Sequence, residues 1–271
     1  GWPMIPMFIE AVMRNGRVPE DYDMSHLLAA GAGCEAVNNN QLDRVQEFLH
    51  KHNCNVRFTV GYGSSEGGSN LTFQMAPKSV HNGNVGIPMP LNDMGVFKPG
   101  TQEELGYNEM GEICTVGPGN MLGYDRRSAT AKTLQRHADG KIWLHTGDIG
   151  YVDEDGVFYV LNRGAAFRYG GGELAVLPME NRLADAKIKG IKDEFFVLIE
   201  DEDHDGYFVP YLYVVLEDGY KVDDIIKDVQ SCLEPYMFPV EILAIDERPF
   251  FHFKTNRIEL SKELKKKNHD C

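Results

Sequence analysis

The residues with the clearest chemical potential lie in a glycine-rich stretch, GYGSSEGGSN, at positions 61–70. Its middle, GSSEG at 63–67, matches G-x-S-x-G, the turn that presents the nucleophilic serine of many hydrolases. That turn passes from a strand directly into a helix, whereas Ser65 is followed by Glu-Gly-Gly-Ser-Asn, which is a poor helix start. Successive N–H groups of a glycine loop can instead bind an anion, and the loop can also be an unliganded surface turn. The loop alone leaves these three interpretations open.

Charge limits what such a loop could bind. The formal net charge of −14 opposes any general attraction to nucleic acid or to an anionic membrane surface. A phosphate group would therefore need a local site. An acid such as Glu66 is tolerated beside a phosphate when a divalent cation lies between them.

Composition indicates a soluble globular protein, with 42% hydrophobic and 25% charged residues. The longest apolar runs, at 195–199 and 210–216, fall far short of the roughly 20 residues that cross a bilayer. The apolar N-terminal segment lacks the basic flank and the cleavage site of a signal peptide. Five cysteines without a CxxC pair fit reduced thiols and a cytoplasmic location.

The elements before the loop alternate between helix and strand. Apolar spacing predicts a helix near 4–14, a short strand at 27–31 and an amphipathic helix over 38–52 with asparagine caps. A strand at 55–60 then runs straight into the glycine loop. This order predicts a parallel α/β layer.

The rest of the chain is richer in strands. Short β segments fill 81–161, including a hairpin that turns at 153–156, and Ser128 is the expected cap of one intervening helix. Beyond these, the pattern predicts an α+β unit with a helix from Pro178, strands at 195–200, 207–217 and 240–245, a helix at 222–234 and a lysine-rich terminal helix.

Four segments in order resemble a known family. They are YGSSE at 62–66, GEICTVGPGNMLGY at 111–124, LHTGD at 144–148, and Asn162-Arg163, which stands where the family has Gly-Arg. Together they resemble the AMP-forming adenylating enzymes, the superfamily of acyl-CoA synthetases, peptide-synthetase adenylation domains and firefly luciferase. The order of four motifs is more specific than any one of them.

This resemblance implies a nucleotide site. Asp148 would accept hydrogen bonds from the ribose hydroxyls of ATP or AMP, and Arg163 would help to hold the same sugar. Tyr62 would pack near the adenine. Each has an ordinary alternative: a turn residue for Asp148, a surface ion pair for Arg163 and a core aromatic for Tyr62.

The resemblance also assigns the glycine-rich segments. Ser65, with Gly63 and Ser64, would bind the α-phosphate, which makes Ser65 a ligand and not a nucleophile. Glu66 would hold Mg²⁺ as part of the catalytic machinery. The strand end formed by Gly31, Ala32 and Gly33 would lie near the adenine and acyl pocket.

The implied chemistry has two half-reactions. A carboxylic acid attacks the α-phosphorus of ATP and expels pyrophosphate, and a thiol then captures the acyl-adenylate. The thiol belongs to coenzyme A or to a carrier-protein phosphopantetheine. A small C-terminal domain would swing about a hinge near 162–166 between the two steps.

Two departures from the family pattern stand out. The family's N-terminal phosphate loop is expected upstream of this sequence, so the chain resembles a C-terminal portion and is expected to be inactive alone. In addition, Arg257 stands where the family has its catalytic lysine; arginine keeps the charge but changes its geometry. Lys254 could substitute if the loop register differs. His145 and His252 could touch phosphate, although histidines are more often structural.

The predicted architecture is therefore α/β plus α+β. Residues 1–163 are expected to be the second half of the large AMP-binding domain, with a β-rich subdomain, and residues 164–271 the small mobile C-terminal domain. The expected function is that of an acyl-CoA synthetase-like ligase. The alternatives are a catalytically impaired nucleotide- or acyl-binding module, which Arg257 favours, and a serine hydrolase that uses Ser65.

Overall fold

The computed structural model describes residues 2–4, 9, 11–13, 16–33, 35–74, 83–251 and 254–269. The chain forms two compact units, one of residues 1–37 and 42–164 and the other of residues 38–41 and 165–271. Both combine helices with sheet, which confirms the predicted mixed α/β fold class. Their roles as part of a large domain and a mobile small domain remain predictions.

The first unit is built on one sheet, which has ten strands within the described residues. The strands are β1 (Trp2–Met4), β2 (Ala30–Ala32), β3 (Phe58–Ser64), β4 (Ser69–Phe73), β5 (Asn84–Pro88), β6 (Asp93–Phe97), β7 (Gly111–Val116), β8 (Leu134–Arg136), β9 (Ile142–Val152) and β10 (Phe158–Arg163). Their order across the sheet is β1-β2-β3-β4-β5-β10-β9-β7-β6, with β8 beside β9. Strands β1 to β3 are parallel and the later pairs are antiparallel.

The parallel part matches the predicted α/β layer. Helix α1 (Asn39–Lys51) connects β2 to β3. Its apolar positions Val45 and Leu49 are buried against Phe58 and Val60 of β3. Helical spacing thus places one apolar stripe on the strands, as the amphipathic pattern indicates.

Two local predictions for the first unit need correction. The helix predicted near 4–14 is present at residues 9 and 11–13, but it begins after residue 4, because Met4 belongs to strand β1. The helix α2 (Arg127–Thr133) has Arg126 at its N-cap position, so Ser128 lies inside the helix. The hairpin predicted at 153–156 is present between β9 and β10, where Gly156 has a φ of 76°.

The second unit is a small α+β structure. Its elements are α3 (Val176–Ala186), β11 (Ile191–Glu200), β12 (Phe208–Leu216), α4 (Val222–Cys232), β13 (Glu241–Ala244), β14 (Phe250–Phe251), β15 (Lys254–Thr255) and α5 (Arg257–His269). Strand β12 lies between β11, to which it is antiparallel, and β13, to which it is parallel. The helices and strands predicted for this region are all present, with shifts of a few residues at their ends.

Strand β11 is buried on both faces, which explains its continuous apolar run. Phe196 belongs to a core shared with Met179 of α3 and Ile225 of α4. Its neighbour Phe195 belongs to a different core, with Leu264 of α5. The period of two along a strand therefore separates two apolar layers.

None of the helices in the described part of the chain has the length and apolar run that crossing a membrane requires.

The buried Phe196 provides a test of this layer. We expect Phe196→Ala to lower the free energy of unfolding by about 3–5 kcal/mol, because a ring without solvent exposure leaves a cavity. Urea denaturation measures this change. Ile258→Ala is the control. Because Ile258 is 74% exposed, its substitution should change the free energy of unfolding little. Equal losses for the two variants would contradict the assignment of Phe196 to the core.

Candidate functional site

The glycine-rich stretch forms a tight hairpin between β3 and β4. Ser64 pairs with Ser69 across it, and the Gly67 N–H donates to the Ser64 hydroxyl oxygen at 3.0 Å. Ser65 lies exposed in the turn, which leads into strand β4 and not into a helix. The geometry therefore differs from the strand–turn–helix that a hydrolase nucleophile requires.

Glycine is required at two positions of this hairpin. A Cβ atom on Gly63 would collide with the Ser69 carbonyl oxygen. Gly68 has a φ of 80°, and a Cβ there would collide with the carbonyl group of Gly119. The hairpin consequently packs closely against the loop of the second motif, and the Met121 N–H donates to the Glu66 carbonyl oxygen at 2.7 Å.

The carboxylate of Glu66 is held by the same loop. The Tyr124 hydroxyl donates to Glu66 Oε1 at 2.6 Å. This hydrogen bond, with a smaller contribution from the positive charge of Arg163, holds the pKa of Glu66 below its ordinary value. Glu66 is therefore ionised at neutral pH. Since it is also only partly buried, it can offer an oxygen ligand to a cation.

The carboxylate of Asp148 is buried, with 8% of the residue exposed. The Tyr62 hydroxyl donates to its Oδ2 at 2.6 Å, and Arg163 Nη1 lies 3.7 Å from its Oδ1. Burial, followed by the nearby charge of Asp148, raises the pKa of Tyr62 far above its ordinary value. Tyr62 is thus a neutral hydrogen-bond donor. The guanidinium of Arg163 remains 79% exposed.

Pairing between strands β9 and β10 positions Asp148 and Arg163, which are directly opposite each other. The turn before Asp148 is fixed by its own hydrogen bonds. The Asp148 N–H donates to Thr146 Oγ1 at 3.1 Å, and the Thr146 hydroxyl donates to the Ile113 carbonyl oxygen at 2.7 Å. Gly147 has a φ of 75°, which favours glycine.

The segment Gly31, Ala32 and Gly33 lies beside the start of the hairpin. Gly31 pairs with Thr59 and Ala32 with Val60 across the parallel strands β2 and β3. A Cβ atom on Gly33 would lie 3.2 Å from the Gly61 carbonyl oxygen. The predicted pocket residues therefore adjoin the hairpin that carries Tyr62 and Glu66.

Most of the predicted site residues come together in the first unit. Tyr62 contacts Asp148, Asp148 faces Arg163, and the charge of Arg163 acts on Glu66. Lys254 and Arg257 belong to the second unit. The role of each residue in binding or catalysis stays a prediction.

Arg257 is engaged in the interior of the second unit. Its Nη2 donates to Glu180 Oε1 at 2.9 Å and its Nε donates to the Phe196 carbonyl oxygen at 3.0 Å. The carboxylate of Glu180 is only 3% exposed, whereas Lys254 is exposed on the short strand β15. In this conformation Arg257 ties α5 to α3 and β11.

Two residues at the site, Tyr124 and Glu112, have no role that the sequence predicts. Tyr124 was recognised as part of a motif, but its bond to Glu66 depends on a loop crossing over the hairpin. Glu112 accepts hydrogen bonds from His145 and from the Gly147 N–H, next to Asp148. His145 was considered as a phosphate contact but is buried against Glu112 with 6% exposure. His252 lies outside the described residues.

The chain is similar in sequence to known proteins. Residues 1–125 match the family of AMP-binding enzymes. The chain is 29% identical over 236 residues to 4-coumarate–CoA ligase 2 of Nicotiana tabacum, covering 84% of this chain and 41% of the relative. It is 30% identical over 204 residues to 4-coumarate-CoA ligase 1 of Narcissus pseudonarcissus, covering 71% of this chain and 36% of the relative. The chain thus spans less than half the length of these two relatives.

Solved structures share the fold. ATP-bound MatB from Rhodopseudomonas palustris superposes with a TM-score of 0.80 at 21% identity, over 97% of this chain and 50% of that one. The O-succinylbenzoate–CoA synthetase MenE from Bacillus subtilis, in complex with ATP and magnesium, gives a TM-score of 0.68 at 22% identity, over 91% of this chain and 48% of that one. The solved structures thus share the fold of this chain, and the relatives share its sequence. The chain belongs to the superfamily of AMP-forming adenylating enzymes.

The bond between Tyr62 and Asp148 can be tested by removing one hydroxyl. We expect Tyr62→Phe to lower the free energy of unfolding by about 1.5–3 kcal/mol, because a buried carboxylate loses a donor while the ring still packs. Chemical denaturation at neutral pH measures the change. Tyr107→Phe removes a hydroxyl from a side chain that is 62% exposed and should be nearly neutral. If Tyr62→Phe leaves the free energy of unfolding unchanged, this hydrogen bond does not stabilise the buried Asp148 carboxylate.

The Arg257–Glu180 pair allows a second test. We expect Arg257→Ala to destabilise the protein by about 3 kcal/mol, because Glu180 would be left as a buried charge without its cation. Arg182→Ala is the matched control, since Arg182 is 46% exposed and lies 3.5 Å from Glu234, which is 54% exposed. Denaturation of both variants gives the comparison. If Arg257→Ala costs no more than Arg182→Ala, Arg257 has no structural role.

Proposed function

We propose that this chain is part of an AMP-forming ligase that activates a carboxylic acid as its acyl-adenylate and passes the acyl group to coenzyme A. Membership of the superfamily supports adenylate formation in general. The names of the curated relatives, which are coenzyme A ligases of 4-coumarate, support a small carboxylic acid and coenzyme A as substrates. A carrier-protein phosphopantetheine remains the alternative acceptor.

The observation that carries this proposal is the arrangement around Asp148. The Tyr62 hydroxyl holds Oδ2 of the Asp148 carboxylate at 2.6 Å, and Arg163 Nη1 lies 3.7 Å from Oδ1. A carboxylate with two oxygens suits the two adjacent hydroxyls of a ribose. The exposed guanidinium of Arg163 is available to approach the same sugar or its phosphate.

The hairpin suits the phosphate end of the nucleotide. Glu66 is ionised and half-buried, and an oxygen ligand of this kind fits Mg²⁺, which binds through one or two carboxylates and the phosphates of its nucleotide. When bound, Mg²⁺ would neutralise charge on the phosphates. Ser65 is exposed at the turn, from which its hydroxyl can donate to the α-phosphate.

The proposed reaction is driven mainly by positioning. The carboxylate substrate forms a bond to the α-phosphorus while the bond to pyrophosphate breaks, and the thiol of coenzyme A then displaces AMP from the acyl carbon. Asp148 and Arg163 would hold the AMP part through both steps. Tyr62 would fix Asp148 and offer its ring to the adenine.

A second candidate function is a nucleotide- or acyl-binding module with impaired adenylation. The observation that favours it is the pairing of Arg257 with Glu180, which engages the residue at the position of the catalytic lysine. Lys254 is exposed and is the alternative cation for the reaction. Hydrolysis through Ser65 is disfavoured, because the hairpin continues into a strand.

Nucleotide binding can be tested on the chain itself. We expect the chain to bind AMP in a calorimetric titration and Asp148→Ala to weaken binding at least about tenfold, because two charge-assisted hydrogen bonds to the ribose are lost. The control is Glu154→Ala, which removes the same charge from an exposed hairpin position. Absence of AMP binding, or equal binding by Asp148→Ala and the wild type, would contradict the proposed site.

The two candidate functions predict different results when a carboxylic acid is added together with ATP. A full-length ligase that includes this chain should release pyrophosphate from ATP only when an acid such as 4-coumarate is added. A binding module should bind AMP and release none. Lys254→Ala, compared with Arg257→Lys, would then show which cation the reaction uses.

A further inference from the structure

Glu112 connects the backbone N–H of Gly147 to the side chain of His145. Its Oε1 accepts a hydrogen bond from the Gly147 N–H at 2.9 Å, and its Oε2 lies 2.8 Å from Nδ1 of His145. Burial raises the pKa of Glu112, but the bonds from His145 and Gly147 outweigh burial and hold the pKa below its ordinary value. The carboxylate is therefore ionised and accepts both bonds.

The ring of His145 is fixed from both sides. An ionised carboxylate only accepts, so His145 must carry a hydrogen on Nδ1. Its other nitrogen, Nε2, lies 2.9 Å from Nε2 of His137. In the neutral pair His137 is then the donor to His145. The rings of Phe97 and Trp143 pack against His137 and hold it in place.

The cluster could also be interpreted as a metal site, because ligand atoms of Glu112, Cys114 and His145 lie within 4.8 Å of one another. Two observations favour hydrogen bonds. The Glu112 oxygen and the His145 nitrogen are 2.8 Å apart, whereas a tetrahedral Zn²⁺ bound to both would separate them by about 3.4 Å. Burial, followed by the charge of Glu112, also raises the pKa of the Cys114 thiol, which keeps it protonated.

The Gly147 peptide is the point where this network meets the candidate site. Gly147 is exposed, and its φ of 75° allows the chain to turn immediately before Asp148. Its carbonyl oxygen accepts from the Gly164 N–H at 2.9 Å, and its N–H is bound by Glu112. Both polar groups of the glycine are thus held, and the direction in which Asp148 leaves the turn is set.

We propose that Glu112 is a positioning residue for Asp148, acting through the Gly147 N–H, with His145 and His137 holding its carboxylate in place. In this proposal Glu112 acts through the Gly147 peptide and makes no contact of its own with the nucleotide. Its link to nucleotide affinity rests on the proposed function, whereas its hold on Gly147 does not. Loss of Glu112 should therefore loosen one peptide and lower the affinity for AMP while the sheet stays intact.

The direct test follows the Gly147 amide by hydrogen exchange in NMR. We expect Glu112→Ala to accelerate its exchange about tenfold or more, because an exposed amide loses the carboxylate acceptor that lies 2.9 Å from it. Glu112→Gln keeps one acceptor oxygen and turns an amino group toward the other donor, so we expect a smaller acceleration. Glu103→Gln is the control, because Glu103 is 64% exposed on the surface.

A double-variant comparison of AMP affinity distinguishes a positioning role of Glu112 from a general loss of stability. We expect Glu112→Gln and His145→Gln each to weaken AMP binding about fivefold, and the double variant to be little worse than either, because both break one network. The hydrogen-exchange rates of the β11 amides in the second unit should not change in these variants. If Glu112→Ala does not fold, the Gln variants still give the exchange rate at Gly147.

The outcomes are distinct. Unchanged exchange at Gly147 in both folded Glu112 variants would overturn the proposal, as would additive losses of affinity in the double variant. A chain that binds no AMP but shows faster Gly147 exchange in Glu112→Gln would contradict the proposed function and still support the hold of Glu112 on the turn.

Discussion

The candidate site in the first unit depends on satisfying one buried carboxylate, that of Asp148. An ionised carboxylate taken out of water costs several kcal/mol unless donors replace its hydration. Two groups from distant parts of the sequence lie against it: the Tyr62 hydroxyl on β3 donates a hydrogen bond, and the Arg163 guanidinium on β10 forms an ion pair at 3.7 Å. The strand order β3-β4-β5-β10-β9 brings these residues to the same place. The sheet topology therefore supplies the groups that surround this carboxylate.

Negative charge exceeds positive charge among the named groups of the candidate site, as it does over the whole chain, whose net charge is −14. Asp148 and Glu66 both carry negative charge near the site, and each has a tyrosine hydroxyl as a neutral donor, Tyr62 and Tyr124 respectively. Arg163 is the cation whose field reaches Glu66 and Tyr124. A phosphate bound among these groups would need more positive charge than Arg163 alone provides, which is consistent with a Mg²⁺ ion at Glu66.

Much of the fold could be predicted from periodicity. Helix α1, the β9–β10 hairpin and the strands of the second unit follow the apolar spacing. Capping was less predictable, because Arg126, and not the better capping residue Ser128, occupies the N-cap position of α2. At the site, motif order predicted that Tyr62, Asp148 and Arg163 would converge. The bonds of Tyr124 to Glu66 and of Arg257 to Glu180 could not be predicted, because each joins residues at least 58 positions apart through tertiary packing.

The central claim is that Asp148 and the hairpin around Ser65 bind one AMP molecule. A crystal structure of this chain soaked with AMP tests it most directly. The account predicts both ribose hydroxyls within hydrogen-bond distance of the Asp148 carboxylate, with the phosphate at the Ser65 turn. AMP bound elsewhere, with neither ribose hydroxyl near the Asp148 carboxylate, would contradict it.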